Sequence, residues 1–234
     1  MKSPAMTARD RLIVALDFPA PAKALALVSV LSGSVSIYKI GLQLYTVAGP
    51  AIVQAVAATG AKIFLDLKLH DIPNTVAKAV TAAGELGVGM LTLHLSGGGP
   101  MLKAAVEACP PHLLLLGVTV LTSATQETLD ETGVGSEIQD QVLRLAHLGK
   151  KSGVGGLITS PREVRSLRER FGSEITLITP GVRPAWAAAD DQKRFTTPGE
   201  ALVAGADYLV VGRPITAAED PRAAADRLLA EMAI

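Results

Sequence analysis

Eight short aliphatic runs recur along this chain at fairly regular intervals, and no other feature constrains its fold as much. They lie near Leu12–Leu16, Ser36–Ile40, Lys62–Leu67, Met90–His94, Leu113–Val120, Gly156–Thr159, Ile175–Ile178 and Tyr208–Val211. Most are near-continuous apolar runs, as expected for parallel strands covered on both faces. The segments between them suit helices: Pro21–Leu31, Val47–Ala58, Pro73–Leu86, Pro100–Ala108, Ile138–Lys151, Pro161–Arg170 and Ala217–Met232. Several open on proline, which a first helical turn tolerates. This alternation predicts an α/β fold with a parallel sheet. Eight units in one domain-sized chain predict a single-domain (β/α)8 TIM barrel over residues 1–234, with residues 1–10 as a short N-terminal extension. A doubly wound open sheet would carry Gly-x-Gly-x-x-Gly after its first strand. Here that turn reads Asp17-Phe18-Pro19-Ala20-Pro21.

A chain of 234 residues buries about 70–75% of its unfolded surface, enough for a substantial core. Aromatic residues are only 3% of the total, so that core is aliphatic. Basic and acidic residues balance at 22 each, which argues against a nucleic-acid partner or an anionic membrane surface. No apolar run reaches the ~18 residues of a membrane span. Met1 to Asp10 has no apolar core of the kind a signal peptide needs. Cys109 is the single cysteine, so neither an intrachain disulfide nor a cysteine metal cluster is available, and a reducing cytoplasm fits. His70, His112 and His147 lack metal-ligand spacing, and His94 reads as a satisfied strand-end histidine. No metal is expected.

The chemistry concentrates in Phe64-Leu65-Asp66-Leu67-Lys68-Leu69-His70-Asp71-Ile72-Pro73-Asn74-Thr75. Charges at the end of a buried strand are costly unless paired. Side chains alternate across a strand, so Asp66, Lys68 and Phe64 share one side and point toward the barrel mouth. Leu65 and Leu67 point to the covering helices. Reactive groups of such barrels sit at the C-terminal strand ends. Asp17, Lys39, Asp66, Lys68, His94 and Thr122 all fall there. Other readings stay open at this point. Lys68 could be a structural partner of Asp66, Asp17 and Lys39 a rim salt bridge, and Asp71 the cap of the helix opening at Pro73.

A phosphate site can be argued separately. Loops after the seventh and eighth strands are the recurrent phosphate site of these barrels. Gly212 permits close backbone approach there, and Arg213 supplies a fork of donors. Arg213 is also readable as a surface salt bridge. Arg183 and Gln192 lie in the strandless stretch Pro180–Thr197 and suit a lid over the phosphate. Gly97-Gly98-Gly99 reads better as a tight turn into a helix than as an anion loop.

Asp-x-Lys-x-x-Asp-Ile-Pro-Asn-Thr, from Asp66 to Thr75, resembles the signature of the orotidine 5′-phosphate decarboxylase family. The likeness extends to Leu16-Asp17, Tyr38-Lys39-Ile40-Gly41, Val118 to Ser123, Thr179 to Pro184, Asp191-Gln192 and Val210 to Ile215, in the family's order. Leu69 stands where an aromatic is common, and Trp186 where a small or polar residue is usual. The resemblance implies decarboxylation of orotidine 5′-phosphate to uridine 5′-phosphate in pyrimidine biosynthesis, with no metal or organic cofactor. It implies Lys68 as proton donor to C6, flanked by Asp66 and Asp71, with Lys39 completing the alternating array. Asp17 and Lys39 would bind ribose hydroxyls, and Thr122 the pyrimidine edge. Arg183, Gln192, Gly212 and Arg213 would take the phosphate. Asp71 and Thr75 would reach into the partner's site in a homodimer. Two rivals are a magnesium-dependent sugar-phosphate decarboxylase or synthase of the same barrel type, and a non-catalytic phosphate-ligand binding barrel.

Overall fold

A computed structural model describes residues 6–187 and 196–233. Its strands are β1 (Leu12–Ala15), β2 (Ile37–Gly41), β3 (Lys62–Leu69), β4 (Met90–His94), β5 (Leu114–Val118), β6 (Gly156–Ile158), β7 (Thr176–Pro180) and β8 (Tyr208–Val211). All pair in parallel with their sequence neighbours, and β1 pairs with β8. The sheet therefore closes into an eight-stranded barrel. Helices lie between successive strands, so the expected (β/α)8 architecture is the observed one.

Two hydrophobic layers follow from the two faces of each strand. Ile13, Ala15, Ile37, Phe64, Met90, Leu116, Ile178 and Val210 fill the inside of the barrel. Their sequence neighbours, such as Leu12, Val14, Ile63, Leu65, Leu91 and Leu209, pack outward among the helices. Phe64 is the largest side chain of the inner layer; trimming it to Ala would cost about 3–5 kcal/mol through the cavity left behind. Side chains repeat with a period of two. Two residues beyond Ala15, Ile37, Phe64 and Met90 come Asp17, Lys39, Asp66 and Thr92. The hydrocarbon filling thus gives way to polar groups at the C-terminal mouth.

Local departures from the expected elements have local causes. The run expected as one helix over Val47–Ala58 is two, Leu42–Ala48 and Pro50–Ala57. Gly49, at φ 58°, breaks it in a left-handed conformation that favours glycine, and Pro50 restarts it. The last helix, expected from Ala217, begins only at Pro221 and runs to Met232, and a separate short helix over Arg213–Thr216 precedes it. The segment expected to open at Pro100 begins at Gly98, after a 3-10 turn over Leu95–Gly97. The Pro161–Arg170 helix begins only at Val164 and runs to Phe171. Short helices at Ala8–Arg11, Gln126–Glu131 and Pro198–Val203 carry too little apolar periodicity to stand out in sequence. Among the described residues no helix is long and apolar enough to cross a membrane.

Candidate active site

β3 is two residues longer than its apolar run, and the extra length is where the site forms. Its register with β4 passes from Leu65↔Leu91 to Leu69↔Leu93, four steps on β3 against two on β4. This bulge contains Asp66, Leu67 and Lys68. Lys68 has φ 50°, the one non-glycine residue with positive φ among the described residues. For a side chain with a Cβ that conformation costs on the order of 1–2 kcal/mol. Strain of this size is usually retained where it positions something.

It positions a charge. Lys68 Nζ donates to both carboxylate oxygens of Asp66, at 2.8 and 3.0 Å. Lys39 Nζ lies 3.5 Å from Asp66 Oδ2 and donates to Asp17 Oδ1 at 3.0 Å. Asp17, Lys39, Asp66 and Lys68 therefore form a continuous row of alternating sign across β1, β2 and β3. Its middle is buried and its ends open: side-chain exposure is 59% at Asp17, 11% at Lys39, 12% at Asp66 and 29% at Lys68. Burial alone would raise the Asp66 carboxyl. The nearby Lys39 and Lys68 charges and the hydrogen bonds from Lys68 and Thr92 outweigh it and hold Asp66 below the ordinary carboxylate range. Asp66 is thus an ionised acceptor, hydrogen-bonded by the Lys68 ammonium and the Thr92 hydroxyl and ion-paired to Lys39.

Two contributors could not be read along the chain. Thr92, fully buried on β4, donates to Asp66 Oδ1 at 2.9 Å and accepts from the Lys68 backbone N–H at 2.8 Å. Gly41 ends β2 where a Cβ would lie 2.9 Å from Lys39 Nζ and 3.1 Å from Asp17 Oδ1. Any side chain there would press on that ion pair. The signal in sequence was parity with Met90 for Thr92 and, for Gly41, its place in the Tyr38-Lys39-Ile40-Gly41 motif, to which no role was attached.

The remaining candidates spread around the mouth. Asp71 and Thr75 are exposed in the segment leaving β3. Asp71 does not cap the following helix: its Oδ1 accepts the Ile72 N–H at 2.6 Å, and Ile72 holds the cap position. Nor does Asp71 form an ion pair among the described residues. His94 ends β4 with its ring 5.5 Å from that of His70. Burial, then the nearby His70 and Lys68, lowers the His94 pKa from its ordinary value, which favours the neutral ring. Thr122 and Gly181 border a cleft of about 1170 Å³ between the loops after β5, β6 and β7. The charged row does not line this cleft; it lies across the mouth, on β1 to β3. Gly212 and the exposed Arg213 follow β8. A Cβ on Gly212 would meet only Ala15, at an ordinary 3.7 Å, so space alone does not demand glycine there. Arg213 forms no ion pair among the described residues, so the surface salt bridge is not what the structure has. The Arg183 N–H donates to the Thr196 carbonyl at 3.1 Å, joining the two ends of the stretch between them. Gln192 lies outside the described residues. Among those described, no three His, Cys, Asp or Glu side chains gather as metal ligands.

Comparison with known proteins agrees with this geometry. The "Orotidine 5'-phosphate decarboxylase / HUMPS family" matches residues 10–228. An orotidine 5'-phosphate decarboxylase of Syntrophotalea carbinolica is 49% identical over 97% of this chain and 96% of its own. One from Halorhodospira halophila is 52% identical over 95% and 96%. Among solved structures, the orotidine 5'-phosphate decarboxylase of Lactobacillus acidophilus superposes with a TM-score of 0.86 at 38% identity, covering 96% of this chain and 100% of that one.

Proposed function

Because the chain belongs to the orotidine 5′-phosphate decarboxylase / HUMPS family, we propose that it converts orotidine 5′-phosphate to uridine 5′-phosphate in pyrimidine biosynthesis, without a metal or organic cofactor. The observation that carries this reading is the Asp17–Lys39–Asp66–Lys68 row, built on a strained strand end. Loss of CO2 from C6 leaves an electron pair in the plane of the pyrimidine ring, where the π system cannot delocalise it. The protein must stabilise that charge electrostatically. Lys68, whose ammonium is held by Asp66, is the group we assign to face C6 and then protonate it.

One contact between unit charges at about 4 Å and an effective dielectric near 20 is worth roughly 4 kcal/mol. That falls well short of what a slow decarboxylation requires, so preorganisation of the whole row and binding energy from the remote phosphate must add to it. We assign ribose hydroxyls to Asp17 and Lys39, the pyrimidine edge to Thr122, and the phosphate to Arg183, Gln192, Gly212 and Arg213. The magnesium-dependent rival fits less well. Asp66 is already bracketed by two ammonium groups, which would repel a divalent cation. A cytoplasmic location fits the single cysteine.

For the assembly we propose a homodimer with shared sites, Asp71 and Thr75 entering the partner's. Asp71 has no cationic partner among the described residues of its own chain. Ile72 beside it is 66% exposed, and Leu42 and Val47, on the helix after neighbouring β2, are exposed too. Solvent-facing apolar residues around a catalytic mouth suit a protein contact.

Adding orotidine 5′-phosphate to protein dialysed against EDTA, and following the change in pyrimidine absorbance, tests the activity. Full turnover without added metal is expected. Activity that returns only with magnesium would favour the sugar-phosphate class, and none under either condition would favour a binding barrel.

A further inference from the structure

We infer that Thr92 is a positioning residue for the reaction, through one hydroxyl that fixes both the backbone of Lys68 and one oxygen of Asp66. The inference rests on the reading of Lys68 as proton donor. It starts from the β3 bulge. Between Leu65↔Leu91 and Leu69↔Leu93, three residues of β3 face one residue of β4, and that residue is Thr92. A regular ladder would pair the main chain here; the Lys68 N–H instead donates to Thr92 Oγ1 at 2.8 Å. The side chain thus replaces a strand carbonyl as acceptor.

The roles within this contact are fixed by proton count. A hydroxyl has one hydrogen to give and two lone pairs to offer. An ionised carboxylate can only accept. Thr92 therefore donates to Asp66 Oδ1, at 2.9 Å, and its lone pair receives the Lys68 N–H. The residue is fully buried and sits between Leu91 and Leu93, which pack outward, so its own side chain faces the barrel interior. Lys68 is consequently held at two points. Thr92 holds its main chain in the left-handed conformation, and Asp66, itself held by Thr92, receives its ammonium. Removing the hydroxyl frees both points together, whereas a buried threonine that only filled space could be replaced by valine without consequence for the chemistry.

Thr92→Val keeps the shape and removes the hydroxyl; Thr92→Ser keeps the hydroxyl and removes a methyl. Misplacing a catalytic group by about 1 Å can cost on the order of 10²-fold in rate. For valine we expect kcat on orotidine 5′-phosphate to fall about 10- to 100-fold, with KM and uridine 5′-phosphate affinity within about threefold of the parent. For serine we expect kcat within about threefold of the parent. Independently of turnover, the Lys68 amide should exchange with deuterium at least about tenfold faster in the valine protein, while amides of β5 to β8 stay unchanged. A valine enzyme with parental kcat, a parallel loss of kcat and nucleotide affinity, or a serine enzyme as slow as valine would each overturn the inference. If the valine chain does not fold, the serine variant alone decides: a loss above tenfold overturns the role, and near-parental kcat retains it. If the parent itself does not turn over orotidine 5′-phosphate, the functional reading fails. Amide exchange at Lys68 then still decides whether Thr92 holds that backbone.

Discussion

At the scale of single residues, the two ends of the substrate should separate in mutants. Lys68 is assigned to the transition state, so Lys68→Ala should lower kcat by at least about 10³-fold, combining lost proton donation with lost charge stabilisation. Uridine 5′-phosphate should still bind, and isothermal calorimetry on the variant measures that directly. A binding loss as large as the rate loss would place Lys68 in ground-state recognition instead. Arg213 is assigned to the remote phosphate. Charge-assisted hydrogen bonds are worth about 1.5–3 kcal/mol, so Arg213→Ala should weaken uridine 5′-phosphate about 10- to 150-fold. Uridine, lacking the phosphate, should bind nearly as before; equal weakening of both ligands would remove Arg213 from the phosphate site. These residues stood out in sequence because charges inside an aliphatic strand are rare and glycine beside arginine at a strand end is suggestive. Thr92 did not, and Gly41 stood only at the end of a motif, without a role. Threonine is an ordinary strand residue, and the crowding at Gly41 involves Asp17, 24 positions away in the chain.

At the scale of elements, period and apolar content located all eight strands, because each is buried on both faces and must be apolar on both. The bulge in β3 was not legible. Bulges depend on register with the neighbouring strand, and one sequence carries no direct record of register. Helix breaks were legible in principle, since Gly49-Pro50 interrupts the segment expected over Val47–Ala58. Aliphatic content on both sides obscured them.

The junction of β6 with the following helix offers a test at this scale. Glu163 accepts from Thr159 Oγ1 at 2.7 Å and from the Ser160 N–H at 3.0 Å. Burial raises its carboxyl above the ordinary range, outweighing both hydrogen bonds and the nearby Arg162. A carboxyl with a folded pKa above its unfolded one binds protons more readily in the folded state. Its contribution is therefore fully present below the unfolded value and lost as pH rises through the folded one. Glu163→Gln keeps an oxygen for both donors and removes that titration. Its melting temperature relative to the parent should be higher at pH 7 than at pH 4, a difference that differential scanning calorimetry can resolve. A constant offset across that range would show that Glu163 titrates normally.

At the scale of the whole molecule, the proposed homodimer with shared active sites predicts complementation. Lys68→Ala and Asp71→Ala homodimers should each be nearly inactive. In a mixed dimer one site carries both lesions, and the other combines an intact Lys68 with the partner's intact Asp71. Random exchange makes about half of all dimers mixed, so about a quarter of all sites should recover. Exchange is verified first by native mass spectrometry with one tagged chain. Mixed dimers that form without recovered activity would place Asp71 in its own chain's site.

Closure of β1 against β8 has a consequence for how this chain can be rewired. The pairing Leu12↔Leu209 and Val14↔Val211 sets the first strand beside the last. Asp17, assigned to the ribose, and Arg213, assigned to the phosphate, then follow adjacent strands although almost the whole sequence separates them. Helix Ala8–Arg11 packs on helix Pro221–Met232, so residues near both ends of the described chain are neighbours. Order along the polypeptide is therefore incidental to the neighbourhood it builds. A circular permutant with a flexible linker joining residues 233 and 6, opened in the exposed turn at Gly133, should fold and retain turnover within about tenfold of the parent. An insoluble or inactive permutant would mean that the linear order, and not only the closed ring, is needed to assemble the site.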